Sequence, residues 1–351
     1  MPRILIAKLA AMGDVIMAST LLPAIRAQWP AAHVTWLTDR ALLPLVSRFE
    51  GVDDVIPVNA SALLAGAPLP RASAMLACWK RLALQQWDLG LVAHADPRYR
   101  LLVRTARLGQ LITQPPIRRH GNAPPRPWPW MGQSYADLLE GTSGGPTGGP
   151  THRAQLAQLR PVPQSAPSAP RHGLLLAPGG ARNLLRDDPL RRWPLTAWGS
   201  LAASLTAEGH AVTLIGGKHD RADCEQVAHM APGVRNLAGT TTLSELVALV
   251  EQAQVVVTHD SGTLHLATLT RTPAVALFGP TVPAERIPPG APVLVATSAQ
   301  GLPCAPCYDG RDYAPCANNR CLSQLSVHQL LSLVHRQLHE TPAAFAAMEH
   351  A

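Results

Sequence analysis

Short apolar runs recur along the chain, and each ends in a polar or glycine-bearing turn that leads into a helical pattern. The runs cover residues 4–7, 34–37, 55–58 and 89–93, and then 174–177, 212–215, 255–258 and 274–278. They are continuous rather than alternating and rich in Val, Ile and Leu, which is the pattern of strands covered on both faces. Helical spacing fills the intervals near 42–49, 73–85, 196–208, 221–229, 243–252, 262–270 and 327–339. A βαβα rhythm of this kind restricts the chain to an α/β fold with parallel sheets. Two sets of runs predict two Rossmann-like domains with a cleft between them. In such folds ligands bind beyond the carboxyl ends of strands, so the loops that follow strands are where chemistry is expected.

The rhythm breaks over 141–170. Gly141-Thr142-Ser143-Gly144-Gly145-Pro146-Thr147-Gly148-Gly149-Pro150 and Pro161-Val162-Pro163-Gln164-Ser165-Ala166-Pro167 offer too little apolar surface for a core. The expected division is an N-terminal domain over 1–145, a linker over 146–170 with a helical turn at 154–159, and a C-terminal domain over 171–325. A last helix over 326–351 is expected to pack back toward the N-terminal domain. Hydrophobic residues are 47% of the 351 and charged ones 15%, enough for two cores and too apolar for global disorder. Lys+Arg 30 against Asp+Glu 23 leaves +7, carried almost wholly by arginine, since Lys8, Lys80 and Lys218 are the only lysines. That balance suits phosphate or carboxylate partners or an anionic membrane surface. Nucleic acid is not expected, because the arginines lack interleaved aromatics and a known module. Six cysteines do not make a disulfide framework at this length. With neither a signal-peptide pattern nor eighteen consecutive apolar residues, a cytoplasmic protein is expected.

Three loops stand out. After the first run come Lys8, Met12, Gly13 and Asp14. Asp14 reads either as a helix cap or as a carboxylate base, and Lys8 as its charge partner or a surface lysine. After 174–177 comes Pro178-Gly179-Gly180-Ala181-Arg182-Asn183, whose glycines expose backbone N–H groups to an anion. Arg191-Arg192-Trp193-Pro194 follows, offering guanidinium groups to a diphosphate or forming a basic turn anchored by a core Trp. The third loop carries the strongest signal: Asp260-Ser261-Gly262-Thr263-Leu264-His265-Leu266-Ala267 joins a buried strand to a helix start. Free N–H groups and the helix dipole favour an anion there, while Asp260 is expected to bond backbone amides and hold the loop. Phe278-Gly279-Pro280-Thr281 closes the next strand.

Taken in order, Lys8…Met12-Gly13-Asp14, Pro178-Gly179-Gly180-Ala181, Arg191-Arg192-Trp193-Pro194 and Asp260-Ser261-Gly262-x-x-His265-Leu266-Ala267 with Phe278-Gly279-Pro280-Thr281 resemble glycosyltransferase family 9, the ADP-heptose:lipopolysaccharide heptosyltransferases. The resemblance implies a GT-B fold and inverting transfer of heptose from ADP-L-glycero-D-manno-heptose to a lipopolysaccharide core acceptor. It implies that the enzyme works on the cytoplasmic side, in peripheral contact with the inner membrane, and needs no cofactor. Asp14 would deprotonate the acceptor hydroxyl, and Arg191, where the family commonly has Lys, would meet the diphosphate. Gly179, Gly180, Arg192, Asp220, Thr241, Asp260, Ser261, Gly262, Thr263 and His265 would bind the nucleotide sugar. Asp220 and Thr241 read equally as helix-start residues. Lys8, Gly13, Arg98 and Arg100 would face the acceptor. Arg100, Arg104 and Arg107 fit one helical face, with Arg118, Arg119, Arg126, Trp128 and Trp130 further along. Cys304-x2-Cys307-x8-Cys316-x4-Cys321 has spacing that suits Zn or Fe, as in related protein-modifying heptosyltransferases, or else reduced structural thiols. Two alternatives stay open: another nucleotide sugar or a non-lipopolysaccharide acceptor, and a non-catalytic nucleotide- or glycan-binding protein.

Overall fold

A computed structural model describes residues 1–115, 130–141, 153–161, 171–182, 186–310 and 312–348. The chain divides into two compact units, Met1–Pro163 with Asn183–Arg186, and Gln164–Arg182 with Asp187–Ala351.

The first unit holds a five-stranded sheet of β1 (Arg3–Ala7), β2 (His33–Asp39), β3 (Asp54–Val58), β4 (Gln86–Val92) and β5 (Arg107–Thr113). The order is β3-β2-β1-β4-β5 and every pairing is parallel. Leu5, Ala7, Leu37, Ile56, Trp87 and Val92 form part of its core with Cys78, Leu82 and Tyr99. The arginine helix expected over 100–107 is corrected: the helix Pro97–Leu102 ends early, and Arg107 opens β5. Arginines at i, i+4 and i+7 fit a helix, but this backbone instead gains a full ladder with β4, from Gln86↔Arg107 to Val92↔Thr113. The helical turn expected at 154–159 is likewise absent. Leu159 bridges Phe49 in antiparallel fashion, and Glu50 N–H and Arg160 N–H bond to the carbonyls of Gln158 and Arg48 at 2.8 and 2.7 Å. Six residues are too few to nucleate a stable helix unaided, so pairing with an existing segment wins. The rest of the expected linker lies outside the described residues.

The second unit holds β6 (Leu174–Ala177), β7 (Val212–Leu214), β8 (Arg235–Asn236), β9 (Val255–His259), β10 (Ala274–Leu277) and β11 (Val293–Ala296). They form one parallel sheet in the order β11-β10-β9-β6-β7-β8. Trp193 and Trp198 pack edge to face at 5.4 Å within its core. The helix Val327–Met348, expected against the first domain, makes contacts with the helix Leu195–Ala207 and with β9, β10 and β11 of its own unit. No described helix is long and apolar enough to cross a membrane.

Both sheets reverse their winding direction once, between β1 and β4 and between β6 and β9. At such a reversal the loops after the two strands splay apart and leave a crevice for ligand.

Candidate active site

In the first unit the reversal gathers the loops after β1 and β4. Ala93 N–H bonds to the Ala7 carbonyl at 3.1 Å, and Lys8 N–H to the Leu37 carbonyl at 3.1 Å, so the chain leaves β1 in a fixed direction. The helix Met12–Ala18 follows, with Asp14 in its first turn. The N-cap position falls to Ala11, not to the Asp14 carboxylate. The carboxylate pairs with Lys8 Nζ at 3.2 Å. Lys8 is no surface lysine: it is 1% exposed, and its ammonium lies 5.2 Å from the centre of the Tyr135 ring. Gly13, beside Asp14, is buried.

His94, which the sequence did not single out, stands just past β4. Its ring stacks on Tyr99 at 4.2 Å, and Nδ1 accepts the Asp96 N–H at 2.9 Å. Burial, then the nearby Lys8 charge, pushes its pKa down to about 4. Arg98 is occupied: it forks onto Asp96 at 2.6 Å and donates to the Leu64 carbonyl at 2.8 Å. The Asp96 hydrogen bonds, opposed by burial, keep the carboxyl below its ordinary range. Arg100 is exposed, on the helix Pro97–Leu102. Arg118, Arg119, Arg126 and Trp128 lie outside the described residues. Trp130 is buried, 3% exposed.

In the second unit the reversal joins the loops after β6 and β9. Gly180 has φ +92, and a Cβ there would stand 3.0 Å from Ser261 Cβ. Glycine therefore serves both the left-handed turn and the close approach that brings the two loops together. Ser261 caps the helix Gly262–Leu269, with Thr263 in its first turn and its hydroxyl 3.1 Å from that of Thr258 rather than on the helix amides. Asp220 binds loop to loop. It accepts N–H bonds from Gly180 at 2.9 Å and Gly217 at 2.8 Å, and the Arg182 guanidinium at 2.9 Å. A Cβ on Gly179 would collide with its carboxylate at 2.4 Å. Thr241 is half-buried, one residue before Thr242, whose hydroxyl caps the helix Leu243–Gln252.

Asp260 does not hold its loop through backbone amides. Its carboxylate takes the Thr281 hydroxyl at 2.8 Å and faces two guanidinium groups, Arg191 at 3.5 Å and Arg286 at 3.7 Å. Burial works to raise its pKa, but Arg286 and Arg191 outweigh it and hold the carboxyl below the usual carboxylate range. His265 is buried nearby, 5% exposed. The two neighbouring arginines are told apart here. Arg191 reaches Asp260 beside the helix start, and its Nε donates to the Tyr313 hydroxyl at 2.7 Å while Tyr308 covers the guanidinium at 5.3 Å. Arg192 turns away to Asp187 and to the Gly180 carbonyl at 2.9 Å. Thr281 lies in the Phe278-Gly279-Pro280-Thr281 motif, whereas nothing in a local motif marks Arg286, Tyr308 and Tyr313.

His259 is a further surprise. Its Nε2 accepts the Trp193 N–H at 2.8 Å, and its Nδ1 donates to the Gly179 carbonyl at 3.1 Å. A proton on Nε2 would face an N–H, so the ring must stay neutral, and burial lowers its pKa to about 4. The neutral ring stabilises the fold fully above the ordinary histidine pKa, and that contribution falls away as pH drops from about 6.5 toward 4. The difference from 6.5 corresponds to about 3 kcal/mol as an upper figure. Chemical denaturation at pH 7 and pH 4.5 is expected to show this loss, and His259→Gln is expected to flatten the slope. An equally steep slope in the variant would place the acid sensitivity elsewhere.

The cysteine segment is laid on the turn after β10. Cys307 and Tyr308 N–H groups both bond to the Pro280 carbonyl at 3.1 Å, and Asn319 Nδ2 to the Arg192 carbonyl at 3.3 Å. Among the described residues, the set of metal-type ligands converging within 4.8 Å is Glu208, His210 and His335, and none of Cys304, Cys307, Cys316 and Cys321 belongs to it. Burial, with the neighbouring Cys307 and Cys316 adding to it, raises the Cys321 thiol to about 11. The four thiols do not present a formed Zn or Fe site.

The sequence profile of glycosyltransferase family 9 (heptosyltransferase) matches residues 76–317. Lipooligosaccharide heptosyltransferase 2 of Haemophilus influenzae is 39% identical over 100 residues, which span 27% of this chain and 29% of that protein. The matched stretch is thus under a third of that relative's length. Among solved structures, a family 9 glycosyl transferase from Veillonella parvula aligns with TM-score 0.75 at 18% identity over 97% of each chain. Escherichia coli ADP-heptose lps heptosyltransferase II aligns with TM-score 0.70 at 20% identity, over 97% of this chain and all of that one. At those identities the likeness speaks to the fold, which is the GT-B type with two Rossmann-like units. With its profile matched over most of its length, this chain belongs to glycosyltransferase family 9, the heptosyltransferase family.

Proposed function

We propose that the chain is an inverting heptosyltransferase, moving heptose from ADP-L-glycero-D-manno-heptose to a lipopolysaccharide core acceptor. The observation that carries this is the arginine pair on Asp260 at the start of the helix Gly262–Leu269, in a chain of this family. The first domain takes the acceptor and the second the nucleotide sugar, with peripheral contact at the cytoplasmic face of the inner membrane.

Asp14 takes the proton from the acceptor hydroxyl as it attacks, while Lys8 holds the carboxylate in place. The sugar passes through an oxocarbenium-like state as its bond to the diphosphate lengthens. Negative charge grows on the leaving ADP, and the amides at Ser261, Gly262 and Thr263 together with Arg191 stabilise it. Asp260 favours this indirectly: its carboxylate aims Arg191 and Arg286, and Tyr313 fixes the planar guanidinium for a forked contact that the more usual Lys does not make. His94 stands close enough to Lys8 and Asp14 to feel their charges, and helps shape the acceptor end.

The test is ADP release and a heptose mass gain when the protein meets ADP-heptose and heptose-deficient lipopolysaccharide. Arg191→Ala is expected to raise the donor KM at least about tenfold, the scale of one charge-assisted phosphate contact. Release from a different nucleotide sugar alone would favour the second reading, for which Arg191 in the place of Lys is the motive. Donor binding without transfer to any acceptor would leave a binding protein.

A further inference from the structure

We propose that the outward face of the helix Pro68–Ala83 is a docking surface for an anionic lipid bilayer. The proposal deepens the functional reading by naming the face that meets the membrane, and it rests on that reading for why a membrane is near.

A surface helix ordinarily turns polar residues outward. This one buries Cys78 and Leu82 and turns leucines out: Leu69 is 84% exposed, Leu76 51%, and Leu84 at the cap 87%. At 100° per residue, Leu69, Leu76 and Lys80 fall within about 40° of one another. The remaining outward positions Ala72, Ser73 and Ala77 are small and exposed. The face is therefore apolar, shallow and marked by one lysine.

Its charge has a single sign. Residues 55–87 contain Arg71, Lys80 and Arg81 and no acid. The neighbouring helix Pro97–Leu102 is tied alongside, because Trp79 Nε1 donates to the Leu101 carbonyl at 2.8 Å and the Thr105 hydroxyl to the Trp79 carbonyl at 3.0 Å. It adds Leu101, 40% exposed, with Arg100 and Arg104 exposed beside it. A cavity of about 380 Å³ opens beside Ser73 and Ala77, with Arg40 and Arg81 in its wall. It is large enough for a phosphate headgroup, and both its charged groups are cations.

Isolated leucines on a helix that itself carries no acid, beside a helix whose cap Asp96 is already paired with Arg98, suit insertion at the headgroup boundary, where apolar contact and attraction to anionic lipid add together. Charge complementarity thus selects an anionic bilayer as the occupant.

The experiment is co-sedimentation of the full chain with phosphatidylcholine vesicles, with and without phosphatidylglycerol. Wild type is expected to pellet with the anionic vesicles, less with the neutral ones, and less again at high salt. A Leu76→Glu, Leu84→Glu double variant is expected to bind at least about tenfold more weakly, since it removes apolar contact and adds repulsion. Lys80→Glu is the milder second variant, and Met230→Glu, an exposed apolar site on the other unit, is expected to bind as wild type does. Circular dichroism melts verify that each variant folds. ADP release with a soluble, delipidated core oligosaccharide is expected to stay within about twofold in the double variant, because the change is confined to docking. Absent vesicle binding in wild type, or equal binding by the folded double variant, overturns the proposal. So does a wild-type dimer that the double variant dissociates, with no vesicle binding, which would assign the face to a second copy. Intact vesicle binding without ADP release would overturn the heptosyltransferase reading and leave the docking surface standing.

Discussion

Asp14→Asn is expected to lower kcat by about 10²- to 10⁴-fold, the range lost with a positioned general base, while donor KM changes little. The substitution keeps the shape of the side chain and its place in the first turn of the helix Met12–Ala18. It removes the ability to take a proton, together with the negative charge that faces Lys8 at 3.2 Å. Lys8, 1% exposed, loses its counter-charge but keeps the Tyr135 ring at 5.2 Å. The Asp14 side chain is 32% exposed, so water reaches the pair, and the fold is expected to survive with a lowered melting temperature. Steady-state ADP release beside a thermal melt checks both halves. An Asn variant with turnover within tenfold of wild type would remove Asp14 from the base role.

Asp260→Ala is expected to be the most damaging change to stability. Asp260 is 3% exposed and faces Arg191 and Arg286, which are themselves largely buried. Removing one partner of a buried ion pair leaves uncompensated charge, at a cost of about 3–5 kcal/mol. Urea denaturation measures that loss directly. Asp260→Asn separates stability from function, because the amide still accepts the Thr281 hydroxyl but no longer balances the guanidiniums. It is expected to weaken donor binding through misplacement of Arg191, and the donor KM reads this. If Asp260→Asn bound donor as well as wild type, the two arginines would not need that carboxylate for alignment.

The parallel sheets were legible in the sequence because their strands are apolar on both faces, so a run such as β9 announces itself. β5 was not: it is an edge strand, RLGQLIT, only partly buried, and its first arginine continued a helix-like spacing. The very short β8 and the half-exposed β11 carried too little apolar signal as well. At the candidate site, Asp14, Gly180, Arg191 and Asp260 were legible as loop residues after strands. Their partners were not, because Tyr313 meets Arg191 across 122 positions and His259 meets Trp193 across 66. Asp220 was read as a nucleotide neighbour or a cap; its carboxylate does cap the turn Lys218–Asp220 through the Gly217 N–H, and its second oxygen accepts the Gly180 N–H from another loop.

Sequence alone determined the α/β class, the eight most apolar strands along the chain and the candidate loops that follow them. Those follow from local periodicity and turn chemistry, which need no knowledge of distant contacts. Only the tertiary structure decided that Lys8 is buried on Asp14, that Arg191 and not Arg192 stands at Asp260, and that a neutral histidine ties Gly179 to Trp193. Each of these is a choice among chemically equivalent side chains. Burial and charge make that choice, and both exist only after segments far apart in sequence have packed together.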